Sequence, residues 1–323
     1  MNKLYSFLIL LFCFSSILAL GPLNPSTYSL LLESIRKVLV DDALISLPKK
    51  QNANYLLMLQ KMGEAKRKFQ LSGAESAYFV YKWIAQNIRL LGGADDYQQN
   101  VYDKGEGSQL GISNLFIQMC NYCQVESKTI KGSIRTMEYS GDVSKSPQIW
   151  NYILINGKYY LVDPGWGAET YKLFKPYFDI YFGIKPEIIK NYYFPDDIKW
   201  QLLPQPFPWE KFYSLPFSTV TFYALGFTSM SPDYYEIKRS QKIEIILTYE
   251  KLAGNISLAT YLTNEAFSRY SNPSQFVNSQ IVNSNGKMEI TFQKPYSTIS
   301  YLSIILKDNE YGNLPLIMYR LIP

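Results

Sequence analysis

The chain has 323 residues, 47% of them hydrophobic and 16% aromatic, a composition that supports large cores and excludes a disordered chain. Its 32 basic and 27 acidic residues leave a net charge of +5 without a basic cluster, so nothing provides the concentrated Lys and Arg that a nucleic-acid partner requires. The sequence contains no histidine at all, which removes the side chain best suited to proton transfer near neutral pH and a common metal ligand. A chain of this length exceeds one ordinary core and predicts two domains plus a targeting segment.

Met1-Asn2-Lys3 followed by the apolar run Leu4 to Leu20, with small residues at Ala19 and Gly21, reads as a secretory signal peptide over 1–21. Cleavage is expected after Ala19 or Gly21, with an uncleaved signal anchor as the alternative. No later segment is long and apolar enough to span a bilayer. If Cys13 leaves with the signal, only Cys120 and Cys123 remain, too few for a disulfide scaffold.

Ser26 to Val40 and Asn54 to Gln70 carry apolar residues at helical spacing. Ser72 with Glu75 three residues on is a capping box that opens a third helix through Ile88. Gly92 to Gln109 is glycine-rich and polar and reads as a loop, and Leu110 to Cys120 is again helical in spacing. Ser108 is suited to cap that helix. Val125 to Ile134 reads as a strand, with Gly141 to Pro147 as a flexible link after it.

Asn156-Gly157, between two apolar and aromatic runs, predicts a hairpin with a two-residue turn. In that register Ile155 faces Lys158 and Trp150 faces Asp163. Gln148 and Asp163 become diagonal neighbours, about 7–8 Å apart and within side-chain reach. Pro204, Pro206 and Pro208 mark a linker. Beyond it lie short β-prone runs at Ser218 to Ala224, Lys242 to Thr248, Ser257 to Leu262, Lys287 to Phe292, Ser300 to Leu306 and Leu314 to Leu321. Their number and turn residues predict a β-sandwich.

Gln148-Ile149-Trp150-Asn151 and Tyr160-Leu161-Val162-Asp163-Pro164-Gly165-Trp166-Gly167 resemble the hairpin of transglutaminase-like domains, specifically the kyphoscoliosis-peptidase branch. Its strands read His-x-Trp-Asn and then Gly-Lys-x-Tyr-x-Val-Asp-Pro-x-Trp-Gly. The Tyr81 to Ile88 stretch and the Phe194 to Leu203 block resemble two more family segments, the second usually preceded by His where Tyr193 stands. Gly111, Leu115, Phe116 and Cys120 match the family's Gly-Val-Cys-x-Gly-Tyr-Ala-x-Leu-Phe-x-x-Leu-Cys without a gap. The resemblance implies an α+β, papain-like domain with a helical N-terminal part, followed by the β-sandwich. Expected boundaries are 22–205 for the first and 206–323 for the second.

In the family resembled, a Cys at a helix N-terminus is the nucleophile, a His its base, and an Asp orients the His. Carried onto this chain, Asp163 matches the Asp, whereas Gln109 holds the nucleophile position and Gln148 the base position. An amide offers neither thiolate nor titratable proton, so the resemblance implies a pseudoenzyme with relict positions Gln109, Gln148 and Asp163. Ser108 is the alternative nucleophile, and with no imidazole its base would have to be a lysine. A divergent Ser108-dependent hydrolase or transferase is therefore the competing reading. Trp150 and Trp166 flank the site and, with Trp200, read as core and loop anchors. No metal or cofactor is expected, and the partner expected is a protein or peptide. Asn255-Ile256-Ser257 is the one sequon with an acceptable middle residue, which makes Asn255 the candidate glycosylation site of a secreted chain.

Overall fold

A computed structural model describes residues 23–135, 146–173, 175–239, 242–263, 276–277, 279–293, 301–308 and 312–323. The expected signal peptide, its cleavage positions and most of the Gly141 to Pro147 link lie outside the described residues. No helix among the described residues is long and apolar enough to cross a membrane.

The N-terminal part is helical: α1 (Lys37–Ile45), α2 (Tyr55–Lys68), α3 (Gly73–Asn87), α4 (Gln98–Lys104) and α5 (Gln109–Tyr122). The capping box is present, with Ser72 N–H donating to Glu75 Oε2 at 2.9 Å and Glu75 N–H to Ser72 Oγ at 3.3 Å. Glu75 also accepts from the Arg36 guanidinium at 2.5 and 2.7 Å, which holds its carboxyl well below the usual range. Asn54 caps α2 by accepting from Leu57 N–H.

Two stretches of this N-terminal part differ from the sequence-based expectation. Ser26 to Val40 is not one helix but a single α-helical turn at Pro25–Tyr28, a 3-10 turn at Leu32–Ser34 and the start of α1. Ser29 is extended because it bridges to Ile184, its hydroxyl donating to Phe182 O, and Leu30 N–H bonds Gly183 O. The presumed loop Gly92 to Gln109 contains α4, whose Val101 and Tyr102 are buried and whose end is capped by left-handed Gly105.

Five antiparallel strands form the first sheet: β1 (Glu126–Ile134), β2 (Ser146–Ile155), β3 (Lys158–Val162), β4 (Phe182–Ile184) and β5 (Tyr193–Pro195), in the order β4-β3-β2-β1-β5. Ile155 pairs with Lys158 and Asn151 with Val162, with positive φ at both Asn156 and Gly157, as a two-residue turn requires. Helix α5 packs on β1 and β2, and α6 (Pro164–Leu173) follows β3 directly.

Gly132 lies between Gln148 and Pro195 across the sheet. A Cβ there would sit 2.2 Å from Phe194 O and 2.6 Å from the Trp150 ring. Backbone and a buried indole cannot both retreat, so Gly132→Ala is expected to cost about 2 kcal/mol by overpacking. Gly92→Ala, at a position with nothing within 4 Å, serves as the near-neutral control in the same thermal melt.

After the prolines come α7 (Trp209–Ser214), a two-residue strand at Phe217–Ser218, and α8 (Val220–Ala224). The expected strand Ser218 to Ala224 is therefore mostly helix. Thr219 N–H bonds Leu316 O and ends the pairing, and the turn of α8 stacks Phe222 on Phe227 at 4.8 Å. Then follow β6 (Phe227–Ser231), β7 (Glu236–Lys238), β8 (Lys242–Tyr249), β9 (Leu258–Thr263), β10 (Phe276–Val277), β11 (Gln280–Ser284), β12 (Lys287–Gln293), β13 (Tyr301–Asp308) and β14 (Gly312–Ile322). They make one sheet ordered β7-β14-β13-β9-β10, with Phe217–Ser218 also on β14, and another ordered β11-β12-β8-β6. Ile245 and Leu247 of β8, Ile290 of β12, Ile304 of β13 and Leu316 of β14 join one buried apolar cluster.

The chain crosses from the first sheet to these strands through dense contacts. The Gln201 amide bonds both the N–H and the O of Phe207 at 2.6 and 2.8 Å. Arg135, just past β1, is buried and donates to Phe212 O and Leu215 O at 2.9 and 2.8 Å. It lies against the rings of Phe212, Phe217 and Tyr235, and burial lowers its pKa to about 10.

Candidate functional site

Gln109 is the first residue of α5, and Ser108 is its N-cap, accepting from Gly111 N–H at 3.0 Å and donating to the Asp96 carboxylate. Gln148 lies on β2, and Asp163 is the residue between β3 and α6. Pro164 at the first helical position suits the turn into α6, since its missing N–H would have had no helical partner. The hairpin thus delivers Gln148 and Asp163 side by side, and α5 brings Gln109 across to them.

All three meet on one carboxylate. Asp163 Oδ1 accepts from Gln109 Nε2 and from Trp166 N–H, both at 2.9 Å. Asp163 Oδ2 accepts from Gln148 Nε2 at 3.2 Å and from the Tyr193 hydroxyl at 2.5 Å. The carboxylate has no exposed surface. Burial pushes its pKa up to about 6, against the lowering effect of hydrogen bonds from Tyr193, Trp166 and Gln148. None of the ion pairs among the described residues reaches Asp163.

The fit around the cluster is close. A Cβ on Gly165 would lie 2.0 Å from Gln109 Oε1, so that glycine makes room for the amide. Gln109 Oε1 and Trp150 Nε1 are buried without a hydrogen-bond partner. Trp150 is buried and meets Tyr193 edge to face at 4.8 Å, and half-buried Trp166 stacks on Tyr181 at 6.1 Å. Both are packed into the surrounding structure, as is Trp200, stacked on Tyr152 at 4.4 Å.

Chemically the cluster is poor in titratable groups. Gln109 and Gln148 carry no proton to exchange near neutral pH, and burial keeps the Tyr193 phenol neutral by raising its pKa well above its usual value. Cys120, near the end of α5, and Cys123, just past it, are buried free thiols. Burial raises the pKa of both, Cys123 to about 12, the opposite of what a reactive thiolate needs. No hydrogen bond or ion pair among the described residues brings a lysine to Ser108 or Asp163. Among the described residues no group of three or more Cys, Asp or Glu could hold a metal ion. Asn255 is exposed in the turn before β9.

Tyr193 is the member of the cluster that residue-by-residue reading missed, although a signal existed. It stands directly before the Phe194 to Leu203 block, where the family resembled usually has His.

No protein-family model matches the chain. Among curated proteins it is 30% identical over 131 residues to kyphoscoliosis peptidase of Mus musculus, covering 38% of this chain and 20% of that protein. It is 26% identical over 208 residues to the Lim and transglutaminase domain protein ltd-1 of Caenorhabditis elegans, covering 57% and 28%. Hillarin of Drosophila melanogaster is 25% identical over 176 residues, covering 47% and 22%. These similarities, at 25–30% identity over part of the chain, support a transglutaminase-like chain of the kyphoscoliosis-peptidase-like branch. The matched stretches cover between 20% and 28% of the length of these relatives. Among solved structures, the M1 domain from titin matches with a TM-score of 0.19 at 8% identity, over 27% of this chain and 82% of that one.

Proposed function

We propose that this transglutaminase-like chain is a secreted, catalytically inactive module that acts by binding or as a structural element. Its transglutaminase-like domain would span 22–205 and a β-sandwich would span 206–323. The observation that carries the reading is the saturation of Asp163. Its two oxygens accept from two glutamine amides, a phenol and a backbone N–H, and none of these can serve as nucleophile or general base at neutral pH. Loss of either a nucleophile or its base alone costs orders of magnitude in rate.

The Ser108-dependent alternative is less well supported. Its hydroxyl caps α5 and donates to Asp96, and a carboxylate without an imidazole between is a poor activator of serine. Secretion rests on the basic start and apolar run of Met1 to Leu20, and glycosylation on the exposed sequon at Asn255.

Purified protein is expected to give no transamidase, deamidase or peptidase turnover above buffer, and Ser108→Ala is expected to leave that result unchanged. A measurable rate lost in Ser108→Ala would replace this reading with the divergent-enzyme one.

A further inference from the structure

A carboxylate taken fully out of water is costly unless a cation or hydrogen-bond donors replace the lost solvent. Asp163 is fully buried, and none of the ion pairs among the described residues includes it. The titratable side chains that face it are Tyr81 of α3, Tyr181 before β4, Tyr192 beside β5 and Tyr193 on β5, all phenols that burial holds neutral. Its charge therefore depends on donors alone.

Those donors are unequal. Gln109 Nε2 and Trp166 N–H stand at 2.9 Å, Gln148 Nε2 at 3.2 Å and the Tyr193 hydroxyl at 2.5 Å. A separation of 2.5 Å lies in the range of an O–H donating to an ionised oxygen, a bond roughly twice as strong as one between neutral groups. On Oδ2 the phenol is thus the principal donor and the Gln148 amide the weaker one.

Sheet register explains how a side chain so far along the sequence arrives there. Strand β1 separates β5 from β2, with Gly132 opposite both Gln148 and Pro195, and Ile134 opposite Tyr193. Alternation along the strands puts Gln148, Gly132 and Tyr193 on one face. Gly132 has no side chain to stand between β2 and β5, and the rings of Trp150 and Tyr193 meet edge to face at 4.8 Å. Tyr192 meets Tyr193 in the same way at 4.7 Å, so the ring is held from two sides with its hydroxyl on Asp163.

We propose that Tyr193 is the positioning residue of this site, its phenol standing in for an absent cation by holding Asp163 ionised at neutral pH and fixed between β2, β5 and α6. The inference rests on the reading of the site as inactive, since an imidazolium at position 148 would supply the charge that the phenol replaces. The two fail separately: turnover is read from product, and the role of Tyr193 from the titration of one carboxyl group.

The test titrates the full chain by NMR with carboxyl-labelled aspartate, Asp163→Asn identifying the Asp163 signal. The parent midpoint is expected at about 6. Tyr193→Phe keeps the ring and removes the donor, and should bind the proton about tenfold more tightly or better, a midpoint higher by about one pH unit or more. Gln148→Leu, which removes the longer bond to the same oxygen, should raise it by less. 3-Fluorotyrosine at position 193, a more acidic donor of nearly the same size, should lower it. Asp163 is protonated in both folded chains at about pH 4, so the stability that Tyr193→Phe loses relative to the parent should be greater at about pH 8 than at about pH 4. A folded Tyr193→Phe whose midpoint is unchanged, or moves no more than that of Gln148→Leu, overturns the proposal. So does a stability loss independent of pH, which packing alone would give, or a midpoint that fluorotyrosine leaves unchanged or raises.

Discussion

Asp163→Ala is expected to lower the free energy of unfolding by roughly 2–4 kcal/mol at neutral pH, read from denaturant melts. The substitution leaves Tyr193 OH, Trp166 N–H and two amide donors without the fully buried acceptor they share, and stranded buried donors cost about 1–3 kcal/mol each before relaxation. Rotation of half-buried Gln109 toward water, and relief from burying a charge, offset part of that. Asp163→Asn isolates the charge. The folded carboxyl titrates near 6, above its ordinary value of 3.8, so between about pH 4 and 6 the folded state holds the proton more often than the unfolded one. Stability from this group is present below about pH 4 and is lost as pH rises through 6, by up to about 3 kcal/mol. Relative to the parent, Asp163→Asn should therefore gain stability as pH is raised across that window. A flat difference between the two from pH 4 to 7 would contradict the assignment of the charge to this buried position.

If Gln109 and Gln148 hold the proposed nucleophile and base positions, Cys and His placed there should form a reactive thiol pair. Gln109→Cys places sulfur at the first residue of α5, and Gln148→His places imidazole where an amide already reaches Asp163 at 3.2 Å. A helix N-terminus and an adjacent imidazolium each favour thiolate. The double variant is expected to react with iodoacetamide at pH 6 at least about tenfold faster than Gln109→Cys alone, after allowing for the lower nucleophilicity of a more acidic thiol. The parent chain is the blank, because Cys120 and Cys123 are buried and their thiols are held protonated. Equal rates in the single and double variants would mean that Gln109 and Gln148 do not stand in a nucleophile and base relation, and would count against the family alignment at both positions.

The sequence by itself determined the elements whose causes are local. The Asn156-Gly157 turn, the Ser72 to Glu75 capping box and the Ser108 cap each depend on residues a few positions apart, and each is found where spacing predicted it. Hairpin register followed from the turn, because a period of two leaves only one way to count outward. What the tertiary structure decided are features in which a distant segment competes with a local preference. Ser29 breaks an apparent helix by bridging to Ile184, and Thr219 ends a strand by bonding Leu316 O. Tyr193 enters the Asp163 cluster, and Arg135 finds carbonyl and ring partners in place of a carboxylate. Hydrophobic period and cap residues report only on the chain's own neighbourhood, whereas these contacts join positions dozens of residues apart and exist only once the sheets and helices have packed.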